Sequence, residues 1–382
     1  LLLPVNRSLN FIASNVERMT RNTRHFEIPA ETGRTEVDRE VIARTLIGLM
    51  NNANVGGIVL LAVKSGAGSA YKNMCAERFE EEARKTGKPF RIVYLTNVGG
   101  SYNMLGETLR LTREVLLEVS DFRRENCPLS ALTLGVKCGT SDATSGIAGN
   151  PCVGAAFDQL IRAGGTAFFS ETTEIIGAED LVAKRAVNES VAKKILSAAK
   201  HWEDKAKATG EDIRKINPIP ANIAAGISSL EEKSLGAIAK SGTSPIQDVL
   251  KYAEMPKGSG LYFVDSWMSS LSLPLCLTAC GATIMLYQMG GGKIAQHPMM
   301  PSINPTVVSP FLYLTGNAIA YSRAPDNFDF DASSIMTEGA SIPEMGTKLL
   351  EHLSAIASGT MTKMETLNYA EQLELYMEGP VL

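Results

Sequence analysis

The sequence predicts an α/β fold with doubly wound, mostly parallel sheets in two Rossmann-like lobes. Three observations predict it. Strand and helix signals alternate through the first third, the same alternation returns in the middle, and polar clusters recur where the apolar strand candidates end. Strand–helix–strand order with short loops favours a parallel sheet covered by helices.

In order, "LLLPV" (1–5) reads as a strand and "SLNFIASNVERMTR" (8–21) as an amphipathic helix. A long helix over 34–52 leads to the strand "GIVLLAV" (57–63). A helix over 71–87, the strand "FRIVYLT" (90–96) and a helix over 104–122 follow, and then the buried strand "ALTLGV" (131–136). The middle brings a helix over 150–164, the strand "GTAFFSE" (165–171) and one long helical region over 178–210. Residues 217–245, with proline at both ends, read as a loop with room for a short helix. Strands follow at 260–266, 282–292 and 307–316, and a helix near 343–358. Soft boundaries near Ser130 and Pro220 divide the chain into an N-terminal lobe (1–129), a central segment (130–219) and a C-terminal lobe (220–382).

A chain of 382 residues, 45% hydrophobic and 20% charged, can bury a full core. Its net charge of −4 leaves no basic footprint for nucleic acid and no polybasic membrane patch. The most apolar stretch, 273–289, is interrupted by Pro, Thr, Gly and Gln and falls short of the ~20 residues of a membrane span. The six cysteines (Cys75, Cys127, Cys138, Cys152, Cys276 and Cys280) form no CxxC pair, which reads as reduced thiols in a cytoplasmic protein. No signal peptide is visible. The opening "LLLPVNRSLN" reads as a strand entered midway, so a short preceding piece is expected.

Ligands of open α/β sheets sit at the carboxyl ends of the strands. "KSGAGS" (64–69), "KCGTSD" (137–142), "SETTE" (170–174), Asp265–Ser266 and "GGGK" (290–293) all fall there. "KSGAGS" lacks the order of a phosphate-binding Walker loop, so it is either an anion cradle or a tight turn. Glu171 and Glu174 at a buried strand end are candidates for cation binding or acid–base work. Glu179 fits a helix start. Of four histidines, His297 is the candidate ligand or acid–base group. His201 and His352 read as surface residues, and no histidine-rich metal cage is present.

The ordered run "VKCGTSDATSGIAGNPCVGAAFD", "FSETTEIIGAEDLVAKRA", "NPIPANIAAGISSLEEKSLGAIAKSG" and "GLYFVDS…TACGATIMLYQMGGG" resembles the large, C-terminal part of the altronate/galactarate dehydratase superfamily. The resemblance covers nearly the whole chain, and Lys-Cys-Gly-x-Ser-Asp is its most specific motif. It implies a lyase that removes water or sulfite from a small hydroxy acid. It also implies a small SAF domain, fused or as a separate subunit, in a homo- or hetero-oligomer, with iron(II) or another divalent cation. "ENCPLS", "SDATSG", "SETTE" and "FVDS" resemble the sulfolactate branch, whose leaving group is sulfite. The sugar-acid dehydratases carry a histidine-glycine-cysteine segment and a later cysteine. Residues 28–38 and 62–69 have neither, which leaves open a non-catalytic anion-binding subunit completed by a partner.

β-Elimination beside a carboxylate needs positive charge on that carboxylate, a base, and support for the leaving group. Lys137, Lys233 and Lys240 are the candidate cationic anchors. Lys137, with a pKa lowered by burial, would also serve as base. Glu171 and Glu174 are candidate acids or cation holders. Ser141, Ser145 and the glycine backbone of 139–149 are candidates for binding an anionic leaving group, and Asn150 for binding substrate. Asp142 caps a turn or meets substrate, and Asp265 is a strand-end candidate for substrate. Cys138 either ligates iron, with His297, or packs as an apolar strand end.

Overall fold

The computed structural model describes residues 1–64, 71–291, 304–367 and 374–380. Three short strands, β1 (Leu2–Pro4), β2 (Ile58–Ala62) and β3 (Phe90–Tyr94), form a small parallel sheet in that order. Its helices are α1 (Asn10–Met19), α2 (Glu36–Asn51), α3 (Ala76–Lys85) and α4 (Ser101–Ser120). Thr35 starts α2 by accepting from the Asp38 N–H, the usual relief for an unpaired helix N-terminus.

The rest of the chain builds a second sheet. In chain order its elements are β4 (Thr133–Gly139), α5 (Asn150–Arg162), β5 (Thr166–Phe169), α6 (Thr172–Ile175), α7 (Glu189–Ala208) and α8 (Leu230–Ile238). Then come β6 (Ile246–Leu250), β7 (Gly260–Val264), α9 (Ser272–Ala279), β8 (Ile284–Met289), β9 (Phe311–Thr315), β10 (Phe330–Asp331) and α10 (Ile342–Ala357). The seven strands run β10-β9-β8-β4-β5-β7-β6, and every pair is parallel. The expected α/β class with parallel sheets is what the chain adopts. The strands of this sheet come from both sides of residue 220.

β4 is the middle strand, with β8 on one side and β5 on the other. The strand order diverges there, so the crevice that open parallel sheets use for ligands opens at the carboxyl end of β4. One apolar cluster joins the sheets, with Leu60 of β2 and Ile42 of α2 in the same core as Leu277 of α9 and Tyr313 of β9. Gly48 permits this contact: a Cβ there would lie 2.1 Å from the Ala279 carbonyl oxygen.

Two expectations change. The long helix over 178–210 is broken: Glu179–Ala183 is one helix, and α7 starts afresh after Asn188, whose side chain caps Val191 N–H. Between them Val187 N–H bonds the Ile246 carbonyl on β6, so strand contact wins over helix continuation. The segment 217–245 is largely helical, with Pro220–Ala224, α8 and a 3₁₀ turn at Ala239–Ser241. Ser229 caps α8 at Glu232 N–H. Among the described residues, no helix is long and apolar enough to cross a membrane.

Candidate functional site

Alternation along β4 sends Lys137 and Cys138 to opposite faces of the sheet. Lys137 pairs in register with Tyr287 of β8, and its ammonium lies 5.7 Å from that ring's centroid. Two residues past β5, Glu171 takes a left-handed backbone (φ 75°, ψ 65°), which non-glycine residues adopt only when surroundings enforce it. The enforcement comes from β7. Ser170 Oγ donates to the Val264 carbonyl (2.6 Å), and Thr172 N–H donates to the Ser266 carbonyl (2.9 Å).

The turn delivers the Glu171 carboxylate to both lysines. Oε1 lies 2.5 Å from Lys137 Nζ, and Oε2 accepts from Cys138 N–H (3.0 Å) and from Lys240 Nζ. Lys240 also reaches Glu174 Oε2 at 2.9 Å. Lys233 completes the row, 3.8 Å from Glu174 Oε1, and donates to Asn217 Oδ1 at 2.6 Å. No member of this network is more than 8% exposed. It holds three lysines and two glutamates.

Burial disfavours the ammonium form of Lys137, but Glu171, Tyr287 and Glu174 outweigh it, and its pKa ends above the ordinary lysine range. The expected lowered pKa, and with it Lys137 as resting base, is therefore corrected: the neighbouring carboxylates keep it protonated. Lys240 shifts upward in the same way: desolvation is outweighed by Glu171 and Glu174. For Glu174, burial opposes the charged form, yet Lys240, Lys233 and Lys137 bring its pKa down to about 2. A carboxylate so acidic is a poor base. Burial, then Glu174, pushes the Cys138 thiol up to about 11. It packs as a neutral thiol, 3.4 Å from both Gln288 Oε1 and Ser141 Oγ.

The glycine-rich turn after β4 leads into α5 through a π-helical turn, Ser145–Gly149. Pro151 sits in the first turn of α5, where its missing N–H costs nothing, and widened turns of the Ser145–Gly149 kind recur at functional sites. Asp142 organises this turn. Its Oδ1 accepts from Thr144 Oγ1 (2.6 Å) and Ser145 N–H (3.1 Å), and its Oδ2 from Gly291 N–H (2.6 Å) and Asn317 Nδ2 (3.0 Å). The carboxylate thus ties the ends of β4, β8 and β9 together.

Ser141, Ser145, Asn150 and Lys233 share one cavity of about 300 Å³, walled by Ile147, Ile227 and Ala237. Asp142 and Glu232 also line it, with Glu232 engaged by Ser228 N–H at 2.7 Å. Lys233 is the member of the network that lines the cavity; Lys137, Glu171, Glu174 and Lys240 do not.

Asp265 stands apart. Its Oδ1 accepts from Thr172 Oγ1 (2.7 Å) and Trp202 Nε1 (2.9 Å), and it lines a different cavity with Arg44, His201 and Tyr376. It supports the turn that holds Glu171. Glu179 accepts from Gly177 N–H at a helix start. His297, most of "KSGAGS" and the end of "GGGK" lie outside the described residues. The residues that sequence reasoning missed are amides: Asn217 on Lys233, Asn222 on the Ser141 carbonyl (2.9 Å), Gln288 beside Cys138, and Asn317 on Asp142. Asn217 and Asn222 fall in the segment read as a loop.

Among the described residues the donors do not fit a divalent cation: both glutamates face ammonium groups, and no group of three His, Cys, Asp or Glu is placed to share an ion.

Residues 129–380 match the family model for D-galactarate/Altronate dehydratase, C-terminal, and residues 3–120 match D-galactarate dehydratase/Altronate hydrolase, second domain. The chain is 31% identical over 377 residues to (2R)-sulfolactate sulfo-lyase subunit beta of Chromohalobacter salexigens, covering 97% of this chain and 91% of that one. It is 34% identical over 283 residues to galactarate dehydratase (L-threo-forming) of Escherichia coli, covering 74% and 52%. It is 30% identical over 345 residues to altronate dehydratase of Bacillus subtilis, covering 90% and 65%. The chain thus spans about half to two thirds of those two dehydratases.

Proposed function

Because this chain belongs to the D-galactarate/altronate dehydratase family and is a lyase, we propose that it catalyses β-elimination from a small 2-hydroxy acid, with sulfite as the leaving group. The match over most of the length of a sulfolactate sulfo-lyase subunit supports this leaving group. Elimination of water from a sugar acid is the second reading, favoured by the 34% identity to a galactarate dehydratase.

In the reaction a base takes the C2 proton, the electrons of that C–H bond form the C2–C3 double bond of an enol, and the C3–S or C3–O bond breaks with its electron pair leaving on the departing group. The enol then takes a proton at C3 and becomes a 2-oxo acid. The difficult step places negative charge next to an existing carboxylate. The observation that carries the reading is the buried row Lys137–Glu171–Lys240–Glu174–Lys233, with one more cation than anion and its Lys233 end in a cavity wall. Fixed positive charge in a poorly solvated site stabilises the developing enolate without reorganisation. Glu171 and Glu174 keep Lys137 and Lys240 protonated and hold the row in place. No step is assigned to iron.

The sulfo-lyase relative is named as a subunit beta. By analogy this chain works with a second subunit, of which a small SAF-type subunit is the expected form. The test is incubation of the chain, alone and with such a subunit, with sulfolactate and with galactarate or altronate. Sulfite and pyruvate in equal amounts support the first reading, and a deoxy 2-oxo sugar acid supports the second. Neither product from any of the acids, with iron supplied, overturns the lyase reading for this chain.

A further inference from the structure

The geometry points to Asn150 and Lys233 as the pair that recognises a hydroxy acid in the cavity beside the lysine row. Asn150 is 1% exposed and lines the cavity. Its Nδ2 donates to the Gly236 carbonyl at 2.8 Å. Only an N–H can face that oxygen, so the amide cannot turn over. The other end, Oδ1, is buried and has no hydrogen-bond partner. A buried acceptor without a donor is costly, and native proteins rarely leave one unfilled without a purpose. What Oδ1 lacks is a hydroxyl or N–H donor.

Lys233 sits in the wall of the same cavity with an amide as its nearest oxygen, and its carboxylate neighbour Glu174 is 3.8 Å away and already held by Lys240. An anionic group is the complement of that ammonium. The two lacks together describe a small acid with a hydroxyl: the anion meets Lys233, and the hydroxyl donates to Asn150 Oδ1. Ser141 and Ser145 line the same cavity and carry hydroxyls able to donate or accept.

This deepens the elimination reading and rests on it for the location of the substrate, but binding tests it separately. Calorimetry on the whole chain would compare sulfolactate with 3-sulfopropionate, which lacks only the hydroxyl, and galactarate with adipate. A site built to pair a substrate hydroxyl rejects the analogue without it, so we expect at least ~100-fold weaker binding of one or both deoxy acids. Asn150→Ala should bring each pair to within about threefold, and Lys233→Met should weaken both members alike. Equal binding of hydroxy and deoxy acids by the wild type overturns the assignment. So does binding of none of the four, or discrimination kept in a folded Asn150→Ala protein. Because the wild-type comparison needs no variant, a misfolded mutant does not block the test. Discrimination without turnover removes the lyase reading and leaves this one; turnover without discrimination does the reverse.

Discussion

Glu171 Oε1 lies 2.5 Å from Lys137 Nζ, and the two side chains, from the ends of adjacent parallel strands, are 0% and 5% exposed. An ion pair so deep in the protein is weak evidence of stability in itself, but removal of one partner strands the other. Lys137→Met is therefore expected to lower stability by roughly 3 kcal/mol, the lower end because Glu171 keeps Lys240. It should also cut turnover at least ~100-fold through lost enolate stabilisation. Urea unfolding and steady-state kinetics on the folded variant check both; full activity would remove Lys137 from the chemistry.

Thr172 holds Glu171 in its left-handed turn. Its hydroxyl donates to Asp265 Oδ1 and accepts from Ser266 N–H at 3.1 Å. Thr172→Val loses both bonds and should cost about 1–3 kcal/mol, whereas Thr172→Ser keeps them. The Cys138 N–H is bonded to Glu171 Oε2, so hydrogen exchange at Cys138 should speed up in the valine variant and not in the serine one. Unchanged exchange in both would show that the turn is held without this hydroxyl.

The expectation that the two polar motifs meet was legible in the sequence because it needed only strand order: "KCGTSD" and "SETTE" end strands that pair directly. What they meet was harder to read. Lys233 and Lys240 enter the row only because 217–245 folds into short helices, and its prolines and glycines mask them as a loop. Asp265 follows a strand in the same sheet, but β7 lies one strand further from β4, which places it behind Thr172. Cys138 and Lys137 were ambiguous for one reason. Their protonation depends on which charges surround them after burial, and no local pattern carries that.

Acid stability should report Glu174. Its pKa of about 2 is lowered from 4.5, so its contribution is complete above about pH 4.5 and is lost as pH falls through the folded value. Urea midpoints should show a falling limb between those values, and Glu174→Gln should flatten it. An unchanged limb in the variant would assign acid unfolding to other groups.

Thiol labelling checks the protonation of Cys138. Cys127 is exposed and Cys75 half-buried, while Cys138, Cys152, Cys276 and Cys280 are buried. The pKa values of Cys138 and Cys152, pushed up to about 11 and about 12, leave almost no thiolate at neutral pH. Iodoacetamide at pH 7.5 should modify Cys127 first and spare Cys138, as read by peptide mass spectrometry. Rapid modification of Cys138 would contradict its description as a buried neutral thiol.

The most direct measurement of the central claim is turnover in deuterium oxide, with the 2-oxo acid examined by NMR. Proton loss from C2 followed by enol protonation at C3 predicts product with one solvent deuteron at C3, and slower turnover of substrate deuterated at C2. A 2-oxo acid that carries the original C2 hydrogen at C3, with none from solvent, would contradict β-elimination through an enol.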